Sequence, residues 1–374
     1  MRLSPFRKVA RRVRRIAQRA ANDLRSRLRS KNSDGSEPRE GGSVKCLAKA
    51  LEERGIACEY KGGDPRHRVL AFSINQVAYS YSMRGALLIA NADGSLRSTT
   101  DEAVSALLSH KNLANSILRR HGFRVPEGLA VHRDSLREAC ALFSVFLAAA
   151  EEGVCVKPAG GKRGRKVYVG VRDLKAFLSA FKTASRVSDQ VLIEEVVAGT
   201  VYRFFCVGGR VVAIRCGVPP SIQGDGEHSI AQLLQSKNRE RMRNPSVKEI
   251  RLTGPGRRVL EAQGMGLGSI PKAGETVWLN RVSNLDQGAD VVDATESMHP
   301  SYIALVEQAV QKFPGLLLCG ADVAIEDLSV PATDNNYHFI ELNDDPGFEA
   351  HHSPTIGKPR DVAGAIVDYL MARS

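Results

Sequence analysis

The chain has 374 residues, 43% of them hydrophobic, and a formal net charge of +12. This length allows two or three domains with packed cores, and no apolar run approaches the roughly 18 residues of a membrane-spanning helix. Seven scattered cysteines without a C-x-x-C pair favour reduced thiols over a disulfide framework. The composition therefore predicts a soluble, cytoplasmic enzyme.

The positive charge is concentrated at the N-terminus. Residues 1–31 contain 12 Lys and Arg and one acid, so this arm carries +11 of the net charge. Its apolar residues recur at three- and four-residue spacing after Pro5, which predicts a basic amphipathic helix. A peripheral position on an anionic membrane, binding to RNA and binding to an acidic protein all fit the pattern. A solubilising extension and an Arg-rich mitochondrial transit peptide also remain open.

Residues 32–43 have the composition of a flexible linker. Residues 44–56 then have the pattern of a helix, and short apolar runs separated by turn residues indicate strands. Together they predict a small α/β domain over residues 44–99. The predicted strands cover residues 58–60, 69–72 and 77–81.

A pair of helices is predicted over residues 100–124, ending at Gly122 ahead of a turn at Val125 and Pro126. After this pair, an apolar run leads into Lys157 and then into a glycine-rich, cationic loop at residues 159–166. Glycines let backbone N–H groups approach phosphate closely, so the loop predicts polyphosphate binding. The Walker pattern is absent, because the loop is followed by a second strand-like run and not by a helix.

The next apolar run, residues 191–197, ends in Glu194, Glu195 and a short extended segment. This arrangement suits an adenine held by backbone hydrogen bonds. Further along, Asp322 and the pair Glu341 and Asn343 lie in two alternating runs, so neighbouring strands would present them on one surface. Three such oxygen ligands suit Mg²⁺ together with substrate phosphates. The alternative is that these acids are buried partners of structural arginines.

From about Leu107 to the C-terminus, these motifs resemble the ATP-grasp carboxylate-amine ligases, in particular the ligase domain of cyanophycin synthetase and bifunctional glutathione synthetases. Further stretches carry the resemblance in the order typical of that family. They are residues 224–230 (Gly-Asp-Gly-Glu-His-Ser-Ile), 284–300 and 341–360.

The resemblance implies a mixed α/β (α+β) ATP-grasp fold, in which two α/β subdomains grip ATP behind the small N-terminal domain. The ligase domain would cover residues 100–374, with a central lid subdomain at about 125–197 and a C-terminal subdomain at about 198–374. ATP and Mg²⁺ would be bound, with two ions expected and Mn²⁺ as a substitute.

Roles follow residue by residue from the same resemblance. Lys111 and Lys157 would contact the nucleotide phosphates, and Asp322, Glu341 and Asn343 would bind the metal. The other implied residues are Gly161, Gly164, Glu194, Glu195 and Val197 for the nucleotide, Arg281, Arg215 and Lys157 for catalysis, and Arg203, Asp345 and Glu349 for the substrate.

Several positions depart from the family pattern. Val201 stands where an acid usually meets the ribose, and Lys166 replaces the third loop glycine. Arg215 and Arg281 are each displaced from the expected arginine position. These departures concentrate near the predicted acyl-phosphate pocket, so they leave the identity of the substrate open.

The implied reaction phosphorylates a carboxylate, and an amine of an amino acid or short peptide then displaces phosphate. Such catalysis depends on positioning and charge neutralisation and requires no serine or cysteine nucleophile. His299, His351 and His352 are candidate proton carriers or structural residues. Two other functions stay open: a ligase acting on a macromolecular acceptor docked by the arm, and a degenerate ATP-binding scaffold. A homo-oligomer is expected.

Acidic residues follow the metal-ligand asparagine, where cyanophycin-type sequences have small residues and a later arginine. Because Asp344, Asp345 and Glu349 would repel a bound polyphosphate, cations should lie among them. Lys358 or Arg360 could pair with one acid. The hypothesis is that Glu349 faces the acceptor pocket and selects a basic amine.

Overall fold

The structure is a computed structural model that describes residues 42–62, 68–83, 85–149, 152–160, 166–244 and 246–373. The predicted arm (1–31), the linker up to residue 41, and the loop glycines Gly161 and Gly164 lie outside the described residues. Within the described ranges, no helix is long and apolar enough to cross a membrane.

Helix α1 and an antiparallel meander of strands β1 to β5 form the start of the described chain, and we call them the N-terminal module (residues 42–98). The three strands predicted from the sequence are observed. The helix begins at Gly42, inside the predicted linker. Its first turn contains Ser43, which is buried and accepts a hydrogen bond from the N–H of Phe348. The bounds are Gly42–Glu53 for α1 and Cys58–Lys61, Val69–Ile74, Val77–Ser82, Leu87–Ala90 and Leu96–Ser98 for β1 to β5.

The predicted helix pair is observed as α2 (Glu102–Leu108) and α3 (Lys111–Arg120). Asp101 caps α2, since its carboxylate accepts a hydrogen bond from the N–H of Ala103 at 2.8 Å. At the start of α3, the N–H of Lys111 donates to the carbonyl of Ala159 at 3.0 Å. This contact holds the first turn of α3 against the segment that carries Lys157.

A central sheet follows, with strand order β6-β9-β7-β8 and antiparallel pairing. Helices α4 and α5 cover one of its faces, and the rings of Phe143 and Phe177 stack between them at 4.3 Å. The bounds are Gly128–His132, Val154–Pro158, Tyr168–Val171 and Gln190–Glu195 for β6 to β9, and Leu136–Ala149 and Leu174–Ala184 for α4 and α5.

The main sheet is antiparallel, with strand order β14-β11-β10-β15-β16. Its strands are β10 (Thr200–Val207), β11 (Arg210–Val218), β14 (Asp290–Asp293), β15 (Leu318–Ile325) and β16 (Tyr337–Asn343). Between β11 and β14 the chain forms a small unit with its own apolar core around Ile230 and Val277. That unit contains β12 (Ser221–Gln223), α6 (Ile230–Arg241), α7 (Gly254–Ala262) and β13 (Thr276–Trp278).

Both faces of the main sheet are packed, because alternate residues of a strand point to opposite faces. Phe204 and Cys206 face helix α8 (Pro300–Val310) in one core. The last two helices are α9 (Glu349–His352) and α10 (Val362–Ala372). Phe205 and Val207 face the other side of the sheet, where α1 and α10 complete a second core. The N-terminal module is therefore packed directly on the main sheet.

Candidate active site

A row of charged side chains crosses the main sheet. Arg203 on β10 lies directly opposite Arg215 on β11 and Asp322 on β15. Asp322 in turn lies opposite Glu341 on β16. Directly opposed residues on antiparallel strands project to the same face, so β11, β10, β15 and β16 place these four residues side by side. Asn343 lies two residues beyond Glu341 on the same strand and hence on the same face.

Both carboxylates of the row are paired with cations. The guanidinium of Arg203 donates to Asp322, with 2.7 Å between Nη2 and Oδ2, and the Nζ atom of Lys111 lies 3.0 Å from Oε1 of Glu341. Lys111 is 9% exposed. The pairing of Asp322 with Arg203 matches the structural alternative left open by the sequence. A metal ion between the two carboxylates would compete with these cations for the same oxygens.

The donor set nevertheless suits a hard divalent cation. Asp322 and Glu341 supply carboxylate oxygens from adjacent strands, and Asn343 supplies an amide whose Nδ2 donates to the carbonyl of Gly320 at 3.5 Å. Mg²⁺ prefers one or two carboxylates together with other oxygen ligands. In the described ranges, no cluster of three or more His, Cys, Asp or Glu side chains could hold a metal ion. The candidate site combines the two carboxylates with the amide of Asn343.

Lys157 and Glu194 form a buried ion pair on neighbouring strands β7 and β9. Burial opposes the charged form of Lys157, but the carboxylates of Glu194 and Glu341 outweigh it and raise the pKa of the lysine above its usual value. The Oε2 atom of Glu194 is buried without a hydrogen-bond partner among the described residues. It is an acceptor that a ligand donor could satisfy.

Glu195 and Val197 are the other predicted nucleotide residues that the structure describes. The carboxylate of Glu195 accepts a hydrogen bond from the N–H of Glu127 at 2.9 Å, so this side chain fixes the entry into β6. Val197 is half-buried just beyond the end of β9. Lys166 has a φ of 61°, in the left-handed region that favours glycine. This conformation explains why glycine is expected at that position, although the sequence has lysine there.

Arg215 lies at the β11 end of the row, and the buried His351 lies near enough to feel its charge. Burial and the nearby Arg203 lower the pKa of Arg215 to about 10, and its Nε atom is buried with no partner within the described chain. His351 is 2% exposed, and neither ring nitrogen has a described hydrogen-bond partner. Burial, Arg215 and Arg203 hold the pKa of His351 well below its usual value, so its imidazole is neutral.

The other two candidate histidines have structural roles. His299 is the N-cap of α8 and accepts a hydrogen bond from the N–H of Ser301 at 3.2 Å. The Nε2 atom of His352 accepts from the N–H of Ala363 at 3.0 Å. The sequence offered no signal that separates His351 from these two, because the difference depends on tertiary burial.

The predicted catalytic residue Arg281 and the acidic segment that begins at Asp344 lie in different surroundings. Arg281 lies in the wall of another cavity with Arg258 and Asn280. Asp344 accepts a hydrogen bond from the hydroxyl of Ser105 on α2. Lys358 and Arg360 pair with Glu296, and Arg360 also pairs with Asp293. These ion pairs do not involve Asp344, Asp345 or Glu349.

The sequence is similar to those of cyanophycin synthetase and of a bifunctional glutathione biosynthesis protein. The chain is 29% identical over 335 residues to the cyanophycin synthetase of Trichormus variabilis, covering 88% of this chain and 35% of that protein. It is 31% identical over 287 residues to the bifunctional glutathione biosynthesis protein of Pasteurella multocida, covering 74% and 37%. The chain thus spans about a third of the length of these curated relatives. No protein-family profile matches it.

Among solved structures, the crystal structure of a bifunctional glutathione synthetase from Pasteurella multocida matches with a TM-score of 0.66 and 27% identity. The match covers 89% of this chain and 44% of that one. The chain therefore has the fold of the ATP-grasp ligases. It is a homologue of cyanophycin synthetase and bifunctional glutathione synthetase, as the sequence resemblance predicted.

Proposed function

We propose that this protein is an ADP-forming ligase that joins a carboxylate to the amine of an amino acid or short peptide. The charged row of Arg203, Asp322 and Glu341 carries the proposal, because it lies beside Lys111 and Lys157 in a fold shared with carbon-nitrogen ligases. In this reaction the γ-phosphoryl group passes to the substrate carboxylate and ADP leaves. The amine then attacks the acyl carbon and loses a proton, and phosphate leaves.

ATP would be held by residues from both sheets. Lys111 and Lys157 would neutralise phosphate charge, and the partnerless Oε2 atom of Glu194 supports contact with a donor such as the adenine amino group. Asp322, Glu341 and Asn343 would hold Mg²⁺, with two ions expected and Mn²⁺ as a substitute. The metal would supply positive charge against the phosphate oxygens.

The substrate carboxylate would bind at the electropositive end of the row. Arg203 and the Nε atom of Arg215 would orient it and stabilise the developing oxyanion. His351 is a neutral imidazole near these arginines, and because its pKa is held low it would accept a hydrogen bond from the attacking amine, whose proton would pass to water. Arg281 lies in a different cavity wall, so it has no role in this proposal.

The acceptor would be a cationic amine, such as a guanidino or diamino acid. Glu349 interacts electrostatically with Arg215, and the acidic side chains of Asp345 and Glu349 lie on the loop that follows the metal-ligand strand. These charges would favour a basic acceptor through charge-assisted hydrogen bonds.

Residues 1–31 would act outside the chemistry, by holding the enzyme at an anionic surface through their +11 charge. A membrane surface, RNA or an acidic protein could provide that surface, and a homo-oligomer remains part of this proposal. The arm also keeps open a macromolecular acceptor as the substrate.

The decisive experiment incubates the full-length protein with Mg-ATP and a panel of amino acids, dipeptides and macromolecular acceptors. Release of ADP and phosphate that depends on both a carboxylate and an amine is expected. Glu341→Gln should abolish turnover, whereas Glu307→Gln, which breaks an ion pair with Arg210 elsewhere in the fold, serves as the matched control. Release of AMP and pyrophosphate, or full activity of Glu341→Gln, would contradict the proposal.

A further inference from the structure

The loop that follows the metal-ligand strand, which we call the acceptor loop (residues 344–349), is held largely by the N-terminal module and α2. At its start, Asp344 accepts a hydrogen bond from Ser105 of α2. Gly85 of the module has a φ of +99°, and a Cβ there would lie 3.1 Å from the carbonyl oxygen of Asp345. The module therefore approaches the loop closely enough that a side chain at Gly85 would disturb both backbones.

Further contacts lie at the end of the loop. The hydroxyl oxygen of Ser43 accepts hydrogen bonds from two backbone N–H groups, that of Phe348 at 2.9 Å and that of Glu349 at 3.2 Å. Ser43 is only 8% exposed. The ring of Phe348 is fully buried and packs against Tyr81 of β3, with 5.7 Å between ring centroids. A single serine thus satisfies two successive buried or half-buried donors.

The neighbouring glycine positions the acidic side chain itself. A Cβ added at Gly42 would overlap the carboxylate of Glu349 and lie 3.0 Å from its Cβ atom. The φ of Gly42 is outside the left-handed region, so alanine would be tolerated by its backbone. The glycine therefore leaves the space that the Glu349 side chain occupies, and the conformation of the helix does not call for it.

We infer that the first turn of α1, Gly42 and Ser43, is a positioning element that sets the orientation of Glu349 and so tunes the enzyme's preference for its amine acceptor. This inference rests on the proposed ligase function. Ser43 fixes the backbone at Phe348 and Glu349, while Gly42 leaves the space that the carboxylate occupies. The N-terminal module, although remote from the nucleotide residues in sequence, is thereby part of the acceptor site.

Two variants separate positioning from general stability in the full-length protein. Ser43→Ala removes the acceptor of two hydrogen bonds and should raise the KM for the amine by about five- to tenfold while leaving the KM for ATP unchanged. Ser43→Thr retains the hydroxyl and should restore the wild-type value. Ser98→Ala, which removes a hydroxyl that accepts one N–H bond in the same module, is the matched control and should change neither KM.

Gly42→Ala should displace the Glu349 carboxylate without weakening α1, because alanine is the better helix former. The acceptor KM should rise while the melting temperature stays at or above that of the wild type. In a Glu349→Ala background the same substitution should have no further effect on KM. Equal effects of Gly42→Ala in both backgrounds would overturn the inference, because they would show that the glycine does not act through Glu349.

Hydrogen exchange provides a readout that does not need activity. In Ser43→Ala, the amides of Phe348 and Glu349 should exchange faster while those of β15 and β16 do not change. Unchanged exchange, or faster exchange with an unaltered amine KM in an active enzyme, would refute the positioning role. An inactive wild-type protein would instead refute the ligase proposal, and the exchange result would still decide whether Ser43 orders the loop.

Discussion

The Nζ atom of Lys111 lies 3.0 Å from Oε1 of Glu341, which joins the first turn of α3 to strand β16. Because Lys111 also donates its backbone N–H to Ala159, just beyond Lys157, it links the central sheet to the main sheet. Binding of a metal and a polyphosphate would therefore have to redistribute this lysine between Glu341 and the phosphates.

We expect Lys111→Met to raise the KM for ATP about tenfold or more, since one charge-assisted contact to phosphate is lost. The amine KM should change little, because the acceptor residues lie on another loop. Steady-state kinetics with ATP and amine varied separately measure both values. Lys49→Met, at an exposed ion pair on α1, is the control, and an equal effect of both substitutions would argue against a phosphate role for Lys111.

The buried pair Lys157 and Glu194 should show strong coupling in stability. Lys157→Met leaves Glu194 as an uncompensated buried charge, and we expect a loss of about 3–5 kcal/mol in the free energy of unfolding. The double variant Lys157→Met/Glu194→Gln should lose less, because no buried charge remains unpaired. Urea denaturation of both single variants and of the double variant gives the coupling energy. Additive losses would mean that the two side chains do not stabilise each other.

His351 should make the protein sensitive to mild acid. Its folded-state pKa is well below the usual value of 6.5, so the unfolded chain takes up a proton first as the pH falls below about 6.5. The free energy of unfolding should then decrease by about 1.4 kcal/mol per pH unit until the folded-state pKa is reached. His351→Phe should flatten this acid limb. His121→Gln, at an exposed histidine directly after α3, is the control. An unaltered limb in His351→Phe would show that another group is responsible.

The sequence predicted the parts of the site that depend on local pattern. Alternating apolar runs located β15 and β16 and placed Asp322 and Glu341 on one surface, which the strand register confirms. It left pairing of these acids with an arginine open but did not identify Arg203 as the partner of Asp322, because that contact depends on the register of two strands separated by more than a hundred residues. Ser43 was assigned to the linker for the same reason: its partners, Phe348 and Glu349, are brought to it only by tertiary folding.

Truncation should distinguish the arm from the positioning element. Deletion of residues 1–41 removes the basic arm but leaves helix α1, so activity on a small substrate should stay within about threefold of the full chain. Salt-sensitive binding to RNA or anionic vesicles should be lost, because the +11 charge is removed. Deletion of residues 1–43 also removes Gly42 and Ser43 and should raise the amine KM as Ser43→Ala does. Equal kinetics for the two deletions would contradict that expectation.

The charge of Glu349 should determine the preference for basic amines. Glu349→Arg would reverse the charge but would also place a cation against the first turn of α1, where the helix dipole is unfavourable for it.

Glu349→Gln is the cleaner test, because it keeps the shape and removes only the charge. We expect Glu349→Gln to raise the KM for a cationic acceptor about tenfold relative to a neutral acceptor of similar size, while the KM for ATP is unchanged. Glu227→Gln, on the loop before α6, is a charge-matched control. If the ratio of the two acceptor KM values is the same in Glu349→Gln and the wild type, Glu349 does not select the acceptor and serves only to stabilise the start of α1.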